Sequence, residues 1–231
     1  MNTFSDRCAA GRALGSLLAQ YTDRRDVLVL GLPRGGVPVA AEVAEMLHAT
    51  LDVIVVRKLG APGQPEVAIG AIAPGGITIV NEAARSLFER THALESEIAR
   101  ERTELRRREA LYRNGRLPLD LRGRTVILVD DGAATGASMR AAVAIARRLG
   151  AQRVVAALPV APPDTLAVLR DQCDEVVCAF TPEAFRCVAE WYDHFEQISD
   201  TEVAAVLWKA HYLERLRATS ARPPPPTLHH R

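Results

Sequence analysis

One segment of this sequence indicates both the fold and a ligand site: Thr125-Val-Ile-Leu-Val-Asp130-Asp131-Gly132-Ala133-Ala134-Thr135-Gly136-Ala137-Ser138. The apolar run at 126–129 predicts a short strand that is buried on both faces of a sheet. Two aspartates follow it, then a loop of small residues, then an expected helix at 137–149. Ligands of open α/β sheets bind beyond the carboxyl ends of the strands, so a site is expected here.

The residue types of this segment suit a sugar phosphate. Side chains at 132–136 are small, so backbone N–H groups can approach a phosphate, and a helix N-terminus favours negative charge. Thr135 and Ser138 add hydroxyl donors. Asp130 and Asp131 can accept hydrogen bonds from two ribose hydroxyls, or hold Mg²⁺ directly or through water. The alternative is a plain strand–turn–helix connection whose two acids are surface groups.

Two other phosphate-binding motifs are excluded. A Walker phosphate loop needs Gly-Lys followed by Ser or Thr, and this segment has no such triplet. A dinucleotide-binding fingerprint needs G-x-G-x-x-G after the first strand, and that pattern is also absent.

Apolar runs of strand length alternate along the chain with stretches of helix length. This alternation predicts an α/β fold with a mostly parallel sheet flanked by helices. The predicted strands are residues 27–31, 51–56, 67–73, 77–80, 125–130, 153–160 and 175–180. The predicted helices are residues 5–20, 38–49, 82–113, 137–149, 164–172 and 199–217.

Residues 1–217 are expected to form one domain, with a helical insertion at about 82–115. The insertion is dense in alternating charge, which predicts a solvated arm or an oligomer contact, with a role at the site as the alternative. Glycines and prolines predict a loop at 59–66. Four consecutive prolines predict an extended or disordered tail at 218–231.

Composition excludes several classes of protein. The formal net charge of +1 gives no general attraction to nucleic acid or anionic membrane, so neither partner is expected. No apolar run is long enough to span a bilayer, and Asp6 and Arg7 interrupt what would be a signal peptide, so we expect a cytoplasmic protein. The four cysteines include no C-x-x-C pair, which disfavours zinc and disulfides.

Two further segments offer cations where strands end. The first predicted strand is followed by Gly31-Leu-Pro-Arg34-Gly35-Gly36, where bare glycines beside an arginine can form an anion pocket. The second is followed by Arg57-Lys58, two cations that suit pyrophosphate, whose charge rises as the bond to the sugar breaks. The alternatives are a simple turn at Arg34 and a solvated pair at 57–58.

The segment around Asp130 resembles the signature for 5-phosphoribosyl-1-pyrophosphate (PRPP) of the type I phosphoribosyltransferases. The sequence is also similar to a group of bacterial phosphoribosyltransferases over roughly residues 4–207. The shared pieces are Leu32-Pro-Arg-Gly-Gly-Val-Pro-Val39, Arg57-Lys-Leu-Gly60, Pro65-Glu-Val-Ala-Ile-Gly-Ala71, Trp191-Tyr-Asp-His-Phe195 and Ser199-Asp200. The resemblance implies this family's fold with a small hood, the cofactor Mg²⁺, and a homodimer.

The resemblance also implies roles for individual residues. The PRPP ribose, with its Mg²⁺, would be held by Asp130 and Asp131. The 5-phosphate would be cradled by Gly132, Ala133, Ala134, Thr135, Gly136 and Ser138. Pyrophosphate would be contacted by Arg34, Gly35, Gly36, Arg57 and Lys58, and residues 59–66 would form a mobile loop that excludes water.

The acceptor side is less defined. Some relatives carry a basic aspartate in the phosphate loop, but this chain has Ala134, which cannot take a proton. Candidates for stacking on a base are Phe180, Phe185, Trp191 and Tyr192, with core packing as the alternative for each. His194 is expected to be structural, and Glu66 is a weaker candidate for a base or an ion partner.

The leading hypothesis is therefore an enzyme that transfers phosphoribosyl from Mg-PRPP to a small nitrogenous acceptor, such as a purine-type base, and releases pyrophosphate. The second hypothesis is a non-catalytic regulator that senses PRPP or a nucleotide, with the charged helix at 82–113 as its contact surface.

Overall fold

The computed structural model describes residues 3–61, 64–80, 93–113 and 116–220. The elements of these residues, in chain order, are α1 (Arg7–Leu17), β1 (Val27–Gly31), α2 (Gly36–Leu47), β2 (Thr50–Val53), β3 (Arg57–Ala61), β4 (Gln64–Ala73), β5 (Ile77–Val80), α3 (Ala93–Arg113), β6 (Thr125–Val129), α4 (Ala137–Arg148), β7 (Arg153–Val160), α5 (Pro163–Arg170), β8 (Glu175–Phe180) and α6 (Asp200–Ser220).

Five strands form a parallel sheet in the order β2-β1-β6-β7-β8. The apolar runs of β1 and β6 lie at its centre, and alternate side chains point to opposite faces. Val29 and Ile127 pack with α1, α2 and α6 on one face, whereas Leu30 and Leu128 pack with α4 and α5 on the other. This double coverage is why these strands are continuously apolar, and it confirms the predicted α/β class.

The carboxyl ends of β1 and β6 lie side by side, because Gly31 is paired with Val129. The pairing continues one step further, where the N–H of Leu32 donates to the carbonyl of Val129 at 2.8 Å. The loop after β1 and the loop after β6 therefore leave the sheet next to each other.

A second, antiparallel sheet has the order β3-β4-β5. It corrects two predictions, because Arg57 begins β3 instead of ending the previous strand, and residues 59–61 and 64–66 belong to strands instead of a loop. Glycine and proline indicated a loop locally, but pairing with β4, with register shifts around Gly60, provides ladder hydrogen bonds. Residues 62–63 lie outside the described residues.

Helix α3 is fixed to the parallel sheet by charge. Arg113 at its end lies 3.2 Å from the carboxylate of Asp52 in β2, and both side chains are buried. Arg116 also reaches Asp52, at 3.1 Å. The predicted start of this helix at residue 82 lies outside the described residues.

Helix α6 runs to Ser220, slightly past the predicted end at 217. Its N-terminus has a capping box, in which Ser199 and Glu202 exchange hydrogen bonds. The predicted tail from residue 221 onward lies outside the described residues. None of the described helices combines the length and the apolarity that crossing a bilayer requires.

Candidate functional site

The site lies where the loop after β1 meets the loop after β6. A Cβ atom on Gly35 would lie 1.9 Å from Oδ2 of Asp131, and one on Gly36 would lie 2.7 Å from Cα of Asp130. A larger residue at position 35 would displace the Asp131 carboxylate, and one at position 36 would displace the backbone at Val129 and Asp130. The glycines are therefore required by close approach of the two loops; the Pro33–Arg34 peptide bond just before them is cis.

The two carboxylates have different surroundings. Oδ1 of Asp130 accepts the backbone N–H of Asp131 at 2.9 Å, and Oδ2 of Asp131 accepts Nε of Arg7 at 2.9 Å. Burial raises the pKa of Asp130 well above its ordinary value, and the charge of Asp131 raises it further. Burial also raises the pKa of Asp131, against the opposing effect of Arg7. Arg7 therefore partly balances the charge of this acidic pair.

Arg7 is a site residue that the sequence did not reveal. It is the first residue of α1, whose N-terminus is capped by the carboxylate of Asp6 at 2.7 Å from the N–H of Ala9. Its guanidinium lies 3.9 Å from the ring centroid of Phe195 and donates to the carbonyl of Glu196 at 2.9 Å. Arg7 and Asp131 are 124 residues apart, so no local pattern connects them.

The predicted phosphate loop joins β6 to α4, and its residues differ in availability. Gly136 adopts φ +68° at the start of α4, a conformation that favours glycine. Thr135 and Ser138 are exposed, as is Ala134, whose carbonyl accepts the hydroxyl of Thr165 at 2.6 Å. The structure thus leaves both hydroxyls accessible at the N-terminus of the helix.

Ala133 differs from the rest of that loop. It is buried, and its N–H donates to the carbonyl of Val160 at 3.0 Å. Because this N–H group is already used, the predicted cradle depends more on the backbone of residues 134–138 than on Ala133.

An aromatic cluster covers one side of the site. Phe4 from the N-terminus packs 4.8 Å from Phe180 and 5.7 Å from Tyr192, measured between ring centroids. Trp191 lies 6.4 Å from Phe180, and its Nε1 is buried with no hydrogen-bond partner among the described residues. The predicted candidates Phe180 and Trp191 belong to this cluster, whereas Phe185 is not among its members.

The side chain of Tyr192 contacts the acidic pair, whereas that of His194 is largely exposed. The hydroxyl of Tyr192 donates to the carbonyl of Asp131 at 2.6 Å, which ties the cluster to the acidic pair. Burial raises the pKa of Tyr192. The imidazole of His194 is largely exposed, with Nδ1 3.9 Å from Glu196, and its backbone N–H donates to Ser5. The side chain of Glu66 lies outside the described residues.

A cavity of about 300 Å³ opens at the junction of these parts. It is lined by Arg7, Arg34, Gly35, Asp131, Phe195, Glu196, Gln197 and Ile198. Arg57 and Lys58 are not in this lining. Arg57 instead forms an ion pair with Glu101 of α3, with Nε 2.6 Å from Oε2, and Lys58 is exposed on β3. Their predicted role stays a prediction.

The comparisons with known proteins identify the family of this chain. The family model of the phosphoribosyl transferase domain matches residues 6–189, which include the loops after β1 and β6. The chain belongs to the phosphoribosyl transferase domain family. The match includes Arg7, the acidic pair and the loop at 132–136, but ends before Phe195.

Other members of the phosphoribosyl transferase family are similar over most of this chain. Two proteins of Mycobacterium tuberculosis, from strains CDC 1551 and H37Rv, are each 48% identical over 212 residues, and their names give phosphoribosyl transferase without a substrate. The match covers 91% of this chain but 48% of each relative, so the chain spans about half their length. The crystal structure of TT1426 from Thermus thermophilus is 44% identical with a TM-score of 0.81, covering 90% of this chain and 98% of that one.

Proposed function

We propose that this chain is a phosphoribosyltransferase that binds Mg-PRPP and transfers its phosphoribosyl group to a small nitrogenous acceptor, with release of pyrophosphate. The observation that carries the proposal is the contact between the Gly35 loop and Asp131. That contact brings a candidate pyrophosphate loop and a candidate ribose-binding acid to the same cavity. Membership of the family supports the reaction class.

Each part has a chemical task in this proposal. Asp130 and Asp131 accept hydrogen bonds from the two ribose hydroxyls, and the backbone of residues 134–138 with the Ser138 hydroxyl holds the 5-phosphate. Arg34 and the backbone of Gly35 hold the pyrophosphate, whose negative charge grows as the bond to the anomeric carbon breaks. The acceptor nitrogen attacks that carbon from the opposite side, so catalysis is mostly orientation and charge stabilisation.

The acidic pair also fits Mg²⁺. Among the described residues there is no group of three or more His, Cys, Asp and Glu side chains arranged to hold a metal. Mg²⁺ is commonly held by one or two carboxylates together with oxygens of its substrate, and Asp130 and Asp131 supply that number. When bound, the ion would neutralise charge on the diphosphate.

The lining of the cavity favours a planar acceptor such as a purine-type base. Phe195 contributes an aromatic ring and Gln197 an amide that can both donate and accept hydrogen bonds. Ala134 offers no proton acceptor, so this position does not serve as a general base. Glu196, whose backbone carbonyl accepts a hydrogen bond from Arg7, follows Phe195 in the lining of the cavity.

The test is calorimetric titration of the full chain with Mg-PRPP. Asp130→Asn combined with Asp131→Asn is expected to abolish binding, because both acceptors of ribose hydroxyls lose their charge. Asp120→Asn, whose carboxylate pairs with Arg122 on the surface, is the control and is expected to bind normally. Unchanged affinity in the double variant, with thermal unfolding showing an intact fold, contradicts the proposal.

A second assay separates transfer from sensing. Release of pyrophosphate is measured with a panel of purine and pyrimidine bases. Turnover with one base supports the enzyme and identifies its acceptor class. Tight binding of Mg-PRPP without turnover on any base supports the regulator instead.

A further inference from the structure

Arg34 lines the cavity, and the acid that faces its guanidinium comes from a different part of the chain. Its guanidinium is 34% exposed, and its Nη1 lies 4.0 Å from Oδ1 of Asp200, the first residue of α6. The two residues are far apart in sequence, and Asp200 follows the segment 195–198 that lines the cavity together with Arg34. Asp200 is thus the acid that faces the candidate pyrophosphate cation.

Asp200 is itself held from two directions by helix α3. The hydroxyl of Tyr112 donates to Oδ1 at 2.6 Å, and Nη2 of Arg107 donates to Oδ2 at 2.7 Å. The backbone at this point is fixed by the capping box of Ser199 and Glu202. Both carboxylate oxygens of Asp200 therefore have defined partners, and Oδ1 is the one that also faces Arg34.

Helix α3, which supplies these donors, is anchored to the rest of the protein through Tyr112 and Arg113. The ring of Tyr112 is buried in the main core, and the neighbouring Arg113 pairs with buried Asp52. The hydrogen bond from Tyr112, followed by that from Arg107, lowers the pKa of Asp200, so its carboxylate is ionised at neutral pH. A chain of contacts thus runs from the core through Tyr112 and Asp200 to the guanidinium of Arg34.

We infer that Asp200, held by Tyr112 and Arg107, is a positioning residue that keeps the guanidinium of Arg34 at the cavity and thereby sets the affinity for pyrophosphate. The inference rests on the proposed function, in which Arg34 contacts pyrophosphate. An arginine side chain has many rotamers, and a ligand that must order it loses affinity. Pre-ordering by Asp200 removes that cost, which gives the charged helix a role at the site.

A positioning role of Asp200 can be distinguished from the direct effect of its negative charge on pyrophosphate. The carboxylate of Asp200 by itself repels an anion, so removing its charge alone would strengthen pyrophosphate binding. Tyr112→Phe removes the hydroxyl that fixes Oδ1 without altering the charge of the site. Positioning therefore predicts weaker pyrophosphate binding in both Tyr112→Phe and Asp200→Asn.

The experiment is calorimetric titration of the full chain, in buffer with excess Mg²⁺, using pyrophosphate and ribose 5-phosphate as separate probes. Tyr112→Phe and Asp200→Asn are expected to weaken pyrophosphate binding about 3- to 10-fold, the effect of leaving one long side chain unordered. Both are expected to bind ribose 5-phosphate like the wild type, because Asp130 and Asp131 are unchanged. Asp120→Asn serves as a control that should alter neither affinity.

The outcomes are distinct. Unchanged pyrophosphate affinity in Tyr112→Phe, or tighter binding in Asp200→Asn, overturns the positioning role while leaving the proposed function in place. An equal loss for both probes also overturns it, because a general structural defect would have that effect. Failure of the wild type to bind ribose 5-phosphate overturns the proposed function and the inference together.

Discussion

Arg34 and Arg57 look alike in the sequence and are treated differently by the fold. Each was expected to follow a strand and to contact pyrophosphate. Arg34 lies on the loop after β1, lines the cavity and faces Asp200 at 4.0 Å. Arg57 begins β3 in the second sheet and is bound to Glu101 at 2.6 Å. The same residue type therefore lines the cavity at one position and makes a direct hydrogen bond to a helix carboxylate at the other.

The comparison shows that an arginine near a predicted site can bind a ligand only if its guanidinium is not already held in a direct contact with an acidic side chain. The carboxylate of Asp200 is held by Tyr112 and Arg107, and its Oδ1 lies 4.0 Å from Nη1 of Arg34, which is longer than a direct hydrogen bond. Glu101 makes direct contact with Arg57, and pyrophosphate would have to replace it. The following predictions test this contrast, from the largest expected effect to the smallest.

Arg34→Ala is expected to weaken binding of Mg-PRPP about 10- to 100-fold, because hydrogen bonds to a charged group contribute about 1.5–3 kcal/mol. Arg57→Ala is expected to weaken it less than about 3-fold, since the gain from pyrophosphate is offset by loss of the Glu101 ion pair. Calorimetric titration measures both variants. Equal losses would show that the two arginines are equivalent and that the contrast is wrong.

Gly35→Ala is expected to reduce Mg-PRPP affinity about 10-fold, because a Cβ 1.9 Å from Asp131 must displace the loop or the carboxylate. Gly76→Ala is the matched control. Its Cβ would meet nothing within 4 Å, but its φ of +78° strains alanine. It should therefore lower stability by about 1 kcal/mol and leave binding unchanged. Normal binding by Gly35→Ala would mean that the loop after β1 and the loop after β6 can move apart without loss of affinity.

Glu101→Gln is expected to tighten Mg-PRPP binding about 2- to 3-fold, because it weakens the hold of buried Glu101 on the partly exposed guanidinium of Arg57 and frees that guanidinium for the ligand. Titration under the same conditions as for Arg57→Ala provides the measurement. Weaker binding would instead indicate that Glu101 positions Arg57 for the ligand, as Asp200 is inferred to do for Arg34.

Asp130→Asn is expected to raise the melting temperature of the ligand-free chain by about 2–4 °C at about pH 8, which corresponds to about 1 kcal/mol at this size. The pKa of Asp130 is higher in the folded state than in the unfolded one. Its stabilising contribution is therefore present at low pH and is lost as the pH rises through the folded pKa.

Asparagine does not ionise, so the gain should shrink towards about pH 4, where the carboxyl of the wild type is protonated. Melting curves in magnesium-free buffer at several pH values provide the measurement. A gain that is the same at every pH would indicate that ionisation of Asp130 is not its cause.

Much of the fold was predictable because its signals are local. The apolar runs of β1 and β6 predicted buried strands, and the order of strands and helices predicted the parallel sheet, which the structure confirms. The loop predicted at 59–66 was partly wrong because Leu59, Gly60 and Ala61 pair with β4, the next strand along the chain. Pairing with a neighbouring strand can override the turn preference of glycine and proline.

The residues of the candidate site also divide into those that the sequence indicated and those that it did not. The acidic pair and the glycines near Arg34 were recognisable from their types and spacing, and close packing of Gly35 on Asp131 now gives a physical reason for them. Arg7 and Asp200 were missed as site residues. Arg7 is an ordinary first residue of a helix, and Asp200 stood out in the sequence only as part of the pair Ser199-Asp200 shared with the bacterial relatives.

The sequence by itself determined the strands of the parallel sheet and the helices that cover them, because these depend on residues adjacent in the chain, and it supplied the residue types of the loop after β6. Only the tertiary structure decided which charges meet. It paired Arg7 with Asp131 across 124 residues and Tyr112 with Asp200 across 88. Electrostatic and hydrogen-bonded contacts depend on distance in space, and distance in space follows from the packing of whole elements.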